Sequence, residues 1–231
     1  MYCIGDIHGR DDLLAELHGQ IEADAADYPG RKQILYLGDY IDRGPESRQV
    51  IERLLNAPLA GFEAIFLKGN HEQALLDFLE FPGAAASWMV FGGRETLASY
   101  GIEVPPHTIH QELASLAEAL RAALPPEHLA FFRDAPVCWR GGDYYFVHAG
   151  IRPGVPLDRQ HVEDQLWIRE DFTESTRDHG VVVVHGHTNR EQAEFRPNRV
   201  GIDTGAYFTG VLTCLVLESE DQRLLQTGQG S

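Results

Sequence analysis

The sequence predicts an α/β fold built on parallel strands, and three observations predict it. Apolar runs at Met1 to Ile4, Ile34 to Leu37 and Ala64 to Leu67 alternate with two amphipathic helical stretches, the order of a parallel sheet. A long helical middle separates these from a second set of short apolar runs that begins at Val137. Five of the runs end in a residue type that binds metal ions, with glycine within two positions each time.

Each element has its own signal. The first strand is short, because only Met1 to Ile4 precede Gly5-Asp6-Ile7-His8-Gly9. Asp11 and Asp12 are good N-caps, and Leu13, Leu14, Leu17 and Ile21 share one face of the helix they open. Tyr28-Pro29-Gly30 breaks it. The buried-strand run Ile34 to Leu37 leads into Gly38-Asp39-Tyr40-Ile41-Asp42-Arg43-Gly44. Pro45 and Ser47 then lead into a helix with Val50, Ile51, Leu54 and Leu55 on one face. Glu46 and Ser47 are expected to do no more than start it. The third strand ends in Lys68-Gly69-Asn70-His71-Glu72.

From about residue 72 to 135 the chain reads as a helical insertion covering one side of the sheet, punctuated by Pro82-Gly83, Gly92-Gly93 and Pro105-Pro106. No shift in composition marks a linker, so residues 1–231 are expected to form one domain. Val137-Cys138-Trp139 and Tyr144 to Val147 flank a hairpin turn at Arg140-Gly141-Gly142-Asp143. Val181 to Val184 ends in His185-Gly186-His187-Thr188. The tail, with Arg199 to Asp203, Val211 to Leu217 and Leu224-Leu225, reads as short antiparallel strands.

Composition excludes some function classes. A net charge of -16 argues against nucleic acid or an anionic membrane as the main partner, since both need a basic face. Nothing approaches the roughly 18 consecutive apolar residues of a membrane helix, and no secretory signal is visible, so the expected location is the cytoplasm. Cys3, Cys138 and Cys214 form no C-x-x-C pair and read as buried small hydrophobes in a reducing compartment. An acidic chain that handles phosphate needs local positive charge, and bound metal ions would supply it.

The strand endings point to that chemistry. They bring Asp6 and His8, Asp39, Asn70, His148, and His185 with His187 to the carboxyl ends of strands, where open α/β sheets bind ligands. Any one Asp-x-His or Gly-Asp is ordinarily just a turn; five at corresponding places are expected to converge on one rim. Mixed carboxylate, imidazole and amide donors suit ions such as Mn²⁺, Fe²⁺ or Zn²⁺. Six candidates suit two ions sharing a carboxylate better than one ion with an open position.

In order, Gly5 to Gly9, Gly38 to Gly44 and Gly69-Asn70-His71-Glu72 resemble the signature of the phosphoprotein phosphatases, within the calcineurin-like metallophosphoesterases. His148-Ala149-Gly150, Gly186-His187-Thr188 and Ile202 to Ala206 agree, and Trp167-Ile168-Arg169-Glu170 resembles the arginine-bearing stretch of bacterial and phage members. The resemblance implies a sandwich of central mixed β-sheets flanked by helices, with a dimetal site at strand C-terminal ends. It implies that Asp6 and His8 hold one metal, that Asp39 bridges to a second, and that Asn70, His148 and His187 complete the second. Manganese is the expected ion, iron and zinc also occurring in the family. Arg43 and Arg169 would grip the phosphate oxygens. His71 would protonate the leaving alkoxide, oriented by Asp42, and a metal-bridging hydroxide would attack without a phosphoenzyme.

His185 is expected to be a strand-end residue and not a ligand, because Asn189 stands where the broader Gly-His-x-His motif has its second histidine. The remaining histidines (His18, His107, His110, His128, His161 and His179) are expected at the surface.

The resemblance implies a protein serine/threonine phosphatase acting on a phosphorylated protein or a small phosphoester. The alternative is a symmetric bis(5'-nucleosyl)-tetraphosphatase, a relative that usually replaces the residue equivalent to Asp42 and carries Asn-His-Asp. Asp42 and Glu72 favour the first reading. A catalytically inactive scaffold would require loss of a ligand or of the acid, and all are present.

Overall fold

The computed structural model describes residues 1–105 and 112–228. Strands β1 (Tyr2–Ile4), β2 (Lys32–Tyr36) and β3 (Phe62–Phe66) run parallel, connected by α1 (Asp11–Asp24) and α2 (Ser47–Asn56). Strands β9 (Thr213–Glu218) and β10 (Asp221–Gln226) extend this sheet antiparallel beyond β1, giving the order β10-β9-β1-β2-β3. A second five-stranded sheet has the order β4-β5-β6-β8-β7, from β4 (Cys138–Gly141), β5 (Tyr144–Val147), β6 (Val182–His185), β7 (Glu194–Arg196) and β8 (Arg199–Gly201). Both sheets are mixed and flanked by helices, as the resemblance implies.

Strand alternation builds the layers. Cys3 and Leu35 point between the sheets, where they meet Phe146, Val184, Val200 and Leu215. Their neighbours Ile4, Ile34 and Tyr36 face the opposite way, onto Leu14, Leu17 and Ile21 of α1 and Val50 and Leu54 of α2. On the outer face of the second sheet, Tyr145, Val147 and Val183 pack on Ile168 and Phe172. Truncating a fully buried leucine such as Leu35 in this core costs about 2–5 kcal/mol.

The middle segment comprises α3 (Asn70–Glu80), a 3-10 turn at Ala86–Met89, α4 (Gly93–Ser99), α5 (Leu113–Ala123) and α6 (Pro126–Asp134). Its Leu75, Phe78, Trp88, Leu97 and Leu120 join the helix-side core of the first sheet. A 3-10 turn at Leu157–Arg159, the shorter helices α7 (Val162–Trp167) and α8 (Glu170–Thr173), and α9 (Ala206–Thr209) complete the described elements.

Strand β8 pairs antiparallel with β7, as expected of the tail, and also parallel with β6, because the chain crosses over between Gly186 and Arg199. Other expectations are corrected. Cys138 is only partly buried. His18 and His128 are buried, not surface residues: each ring finds a hydroxyl inside the core, His18 on Tyr36 at 2.9 Å and His128 on Tyr100 at 2.8 Å. His179 is half-buried beside Phe172, while His161 is exposed. His107 and His110 lie outside the described residues.

Candidate active site

The loops after β1, β2, β3, β5 and β6 converge at the carboxyl ends of both sheets and are tied by backbone hydrogen bonds. The Ile7 and His8 amides donate to the Asp39 carbonyl, and the Gly186 amide donates to that of His148. Among the described residues six non-glycines have positive φ, and five are here: His8, Asp39, Asp42, Arg43 and His187. Left-handed backbone in L-residues is strained, and such strain concentrates where side chains must be aimed. Gly38, at φ +101°, cannot be replaced, since a Cβ would stand 2.4 Å from the Gly69 amide nitrogen.

Asp39 is the centre of the arrangement. Its Oδ2 lies 3.4 Å from His8 Nε2, and its Oδ1 lies 3.4 Å from His148 Nε2. One carboxylate thus faces two clusters, His8–Asp39–His71 and Asp39–His148–His187, each with donor atoms within 4.8 Å of one another. Asn70 Oδ1 is 2.8 Å from both His148 Nε2 and His187 Nδ1. Donors around a shared ion at about 2.0–2.2 Å stand close together in this way.

The histidine tautomers are set from behind. His8 Nδ1 donates to the Ile41 carbonyl at 2.9 Å and His148 Nδ1 to that of Leu37 at 3.0 Å, leaving each Nε2 lone pair aimed inward. Burial holds His8, His148 and His187 below the ordinary imidazole pKa, His187 at about 2, so all three are neutral bases. Asp6 Oδ1, His8 Nε2 and His187 Nε2 are buried with no hydrogen-bond partner. Asp6 Oδ2 accepts the His187 amide at 3.0 Å, and a Cβ on Gly186 would fall 2.0 Å from Oδ1. Orphaned buried donors of this kind, in a mixed carboxylate–imidazole–amide set, fit divalent ions.

A separate pair stands beside them. His71 Nδ1 is 2.6 Å from Asp42 Oδ2. Burial opposes charge on His71, but the Asp39 carboxylate and the bond to Asp42 outweigh it and raise its pKa to about 9. Arg43 brings a guanidinium nitrogen 3.3 Å from His71 Nε2, while Arg169 is exposed and reaches the His187 carbonyl at 3.4 Å. The two arginines therefore flank opposite ends of the cluster. His185 lies outside both clusters, its ring 5.1 Å from that of Phe172.

Sequence reasoning missed several contributors. Asp42 is held by the Trp88 indole N–H at 2.7 Å and the Thr96 hydroxyl at 2.5 Å, both from the helical middle segment. Ser47, expected only to start α2, also accepts the Asp42 amide at 3.0 Å. Glu72 accepts amides of Gly69, Asp39 and Tyr40 at 2.8–2.9 Å and of Ile41 at 3.4 Å, clamping two site loops together. Its place at the third position of α3, where glutamate caps its own helix, was the available signal. Asp203, buried at the end of β8, faces Asp6, and burial raises it to about 6. The strand-end rule applied to one more strand would have found it.

Comparison with known proteins places this geometry. A curated protein from Anoxybacillus flavithermus, named bis(5'-nucleosyl)-tetraphosphatase PrpE [asymmetrical], is 28% identical over 233 residues, covering 92% of this chain and 88% of the relative. A crystal structure of a proposed diadenosine tetraphosphatase superposes with a TM-score of 0.66 at 21% identity, over 99% of this chain and 94% of that one. A cold-active protein tyrosine phosphatase gives 0.66 at 18% identity, over 97% of this chain and 75% of that one. The family model for calcineurin-like phosphoesterases matches residues 1–209, and the chain belongs to that family of metal-dependent phosphoester hydrolases.

Proposed function

We propose that this chain hydrolyses dinucleoside polyphosphates, using Asp6, His8, Asp39, Asn70, His148 and His187 to hold two divalent ions. The observation that carries the substrate class is the similarity to a dinucleoside tetraphosphatase along nearly the whole length of both chains. Sequence reasoning ranks phosphoproteins first and dinucleoside polyphosphates second; this similarity favours the second. The relative's name specifies asymmetrical cleavage where the sequence reading took the symmetric mode, so AMP and ATP are the expected products from diadenosine tetraphosphate.

When bound, the two ions supply a nucleophile at neutral pH and Lewis acidity toward the phosphoryl oxygens. The chain's own residues do the rest. Asp39, which turns one oxygen toward His8 and the other toward His148, would help to hold both ions. Arg43 and Arg169, at opposite ends, take up charge on the phosphate chain and fix its direction. His71, kept cationic by Asp42 and Asp39, offers its Nε2 proton to the departing oxygen.

A second reading rests on that dyad. A nucleotide phosphate leaves readily, whereas a serine or threonine alkoxide needs protonation, so the Asp42–His71 pair also suits phosphomonoesters. The test is turnover of diadenosine tetraphosphate, phosphopeptides and an aryl phosphate, after chelation and with Mn²⁺, Fe²⁺ or Zn²⁺ restored. Highest kcat/KM on the dinucleotide is expected, with AMP and ATP formed. Preference for phosphopeptides would overturn the proposal, and unchanged activity after full metal removal would overturn the dimetal assignment.

A further inference from the structure

An exposed apolar cluster lies against the Arg43 side of the site and has no role in the steps above. Val90, Phe91 and Phe208 are 83%, 52% and 61% exposed, far more than packing residues need to be. Single exposed apolar side chains mean little; a group of them beside a catalytic site marks a ligand-contact surface.

Two separate segments build it. The Arg43 amide donates to the Gly92 carbonyl at 3.4 Å, which fixes Val90 and Phe91 next to Arg43. From the other side, the Tyr207 ring lies 4.8 Å from the Arg43 guanidinium carbon and 5.6 Å from the His8 ring, and Phe208 stands 4.9 Å from Tyr207 edge to face. Val90, Phe91 and Tyr207, together with Arg94 and Glu95, line one groove that opens directly from Arg43, and Phe208 backs Tyr207 from outside it.

We propose that this groove binds a nucleobase of the substrate, with Phe91 and Tyr207 as its stacking surface. The inference rests on the dinucleoside polyphosphate reading and deepens it. A phosphate chain gripped at Arg43 must carry its attached group along the groove, and the groove offers aromatic faces and edges to a flat ring. Arg94, anchored to the Pro105 carbonyl at 2.9 Å, adds a cation beside the chain. Glu95 adds an acceptor of the kind an exocyclic amine requires. The occupant this chemistry fits is a purine carrying an amine, joined to phosphate.

The experiment uses the full chain loaded with Mn²⁺. Equilibrium binding of AMP and of inorganic phosphate is measured for the wild type, Phe91→Ala and Tyr207→Ala, with Phe195→Ala on strand β7 as a distant control. The kcat/KM ratio for diadenosine tetraphosphate over tripolyphosphate is measured on the same proteins. Expected are AMP binding tighter than phosphate, a loss of about tenfold in AMP affinity and in the ratio for either groove variant, and recovery in Phe91→Trp. AMP binding no tighter than phosphate, or groove variants indistinguishable from Phe195→Ala, overturns the nucleobase assignment. Phe91-dependent AMP binding without dinucleotide turnover leaves the groove assignment standing and overturns the hydrolase reading.

Discussion

The carboxylate of Asp42 bonds His71 Nδ1 at 2.6 Å, and the same oxygen accepts the Trp88 indole N–H at 2.7 Å. A residue of the loop after β2 is thus oriented by a side chain more than forty positions later, from the helical middle segment. Asp42 itself is fully buried and is a member of neither candidate cluster, meeting the first only through His71.

That arrangement predicts a separation of effects. Asp42→Asn should keep full metal content yet lower kcat by about 10²–10⁴ on a phosphoserine peptide or other alkyl phosphate, because general acid assistance is lost. On a dinucleotide, whose leaving group needs less protonation, the loss should be smaller. Metal analysis beside steady-state kinetics checks it. Loss of metal together with activity would make Asp42 a ligand or a fold residue.

Glu72 should matter through the loops it holds. Glu72→Ala leaves buried amides of Asp39, Tyr40 and Gly69 without their acceptor, at about 1–3 kcal/mol each. The expected outcome is a markedly lower Tm and weaker metal retention, read by calorimetry and by metal content after gel filtration. Glu72→Gln keeps one acceptor oxygen and should fall between the two. A wild-type Tm in Glu72→Ala would remove the clamp.

His18 gives a pH dependence remote from the candidate metal ligands. Burial, with Arg53 adding to it, holds the ring down to about 4, below the 6.5 of an unfolded chain. Above pH 6.5 the ring is neutral in both states and its contribution is fully present. As pH falls from 6.5 to 4, the unfolded chain takes up a proton that the folded core refuses, so stability is lost by up to about 3 kcal/mol. His18→Gln should lessen the slope of stability against pH over that window, measured by urea unfolding of metal-free protein. Equal slopes for both proteins would refute it.

Much of this molecule was legible in the sequence because its information is local. Strands such as β2 show as apolar runs, helices such as α2 show their period, and a strand that ends in Gly-Asp or Gly-Asn-His declares a turn with a donor on it. Aspartate, histidine and asparagine at strand ends are visible one at a time, and the alternation of strand and helix says that the ends share a rim. The two-sheet architecture followed from the resemblance, not from periodicity. The parallel pairing of β8 escaped because pairing direction depends on where the intervening chain crosses, which short apolar runs do not encode.

Tertiary structure alone decided which partners met. Nothing in the spacing of Trp88, Thr96 and Asp42 announces a hydrogen-bonded group, since such bonds join residues that only folding brings within 3 Å. The same holds for His18 and His128, whose polar tips read as surface until a tyrosine hydroxyl is found beside each. It holds for Phe91, left exposed beside Arg43, and for Phe208, left exposed against Tyr207. The sequence by itself determined the family, the candidate metal-binding residues and the rim they occupy, because those lie in contiguous motifs. Only the folded chain decided that Asp39 turns one oxygen to each cluster, that the helical segment orients Asp42, and what lies next to Arg43, because each is a distance between segments far apart in the chain.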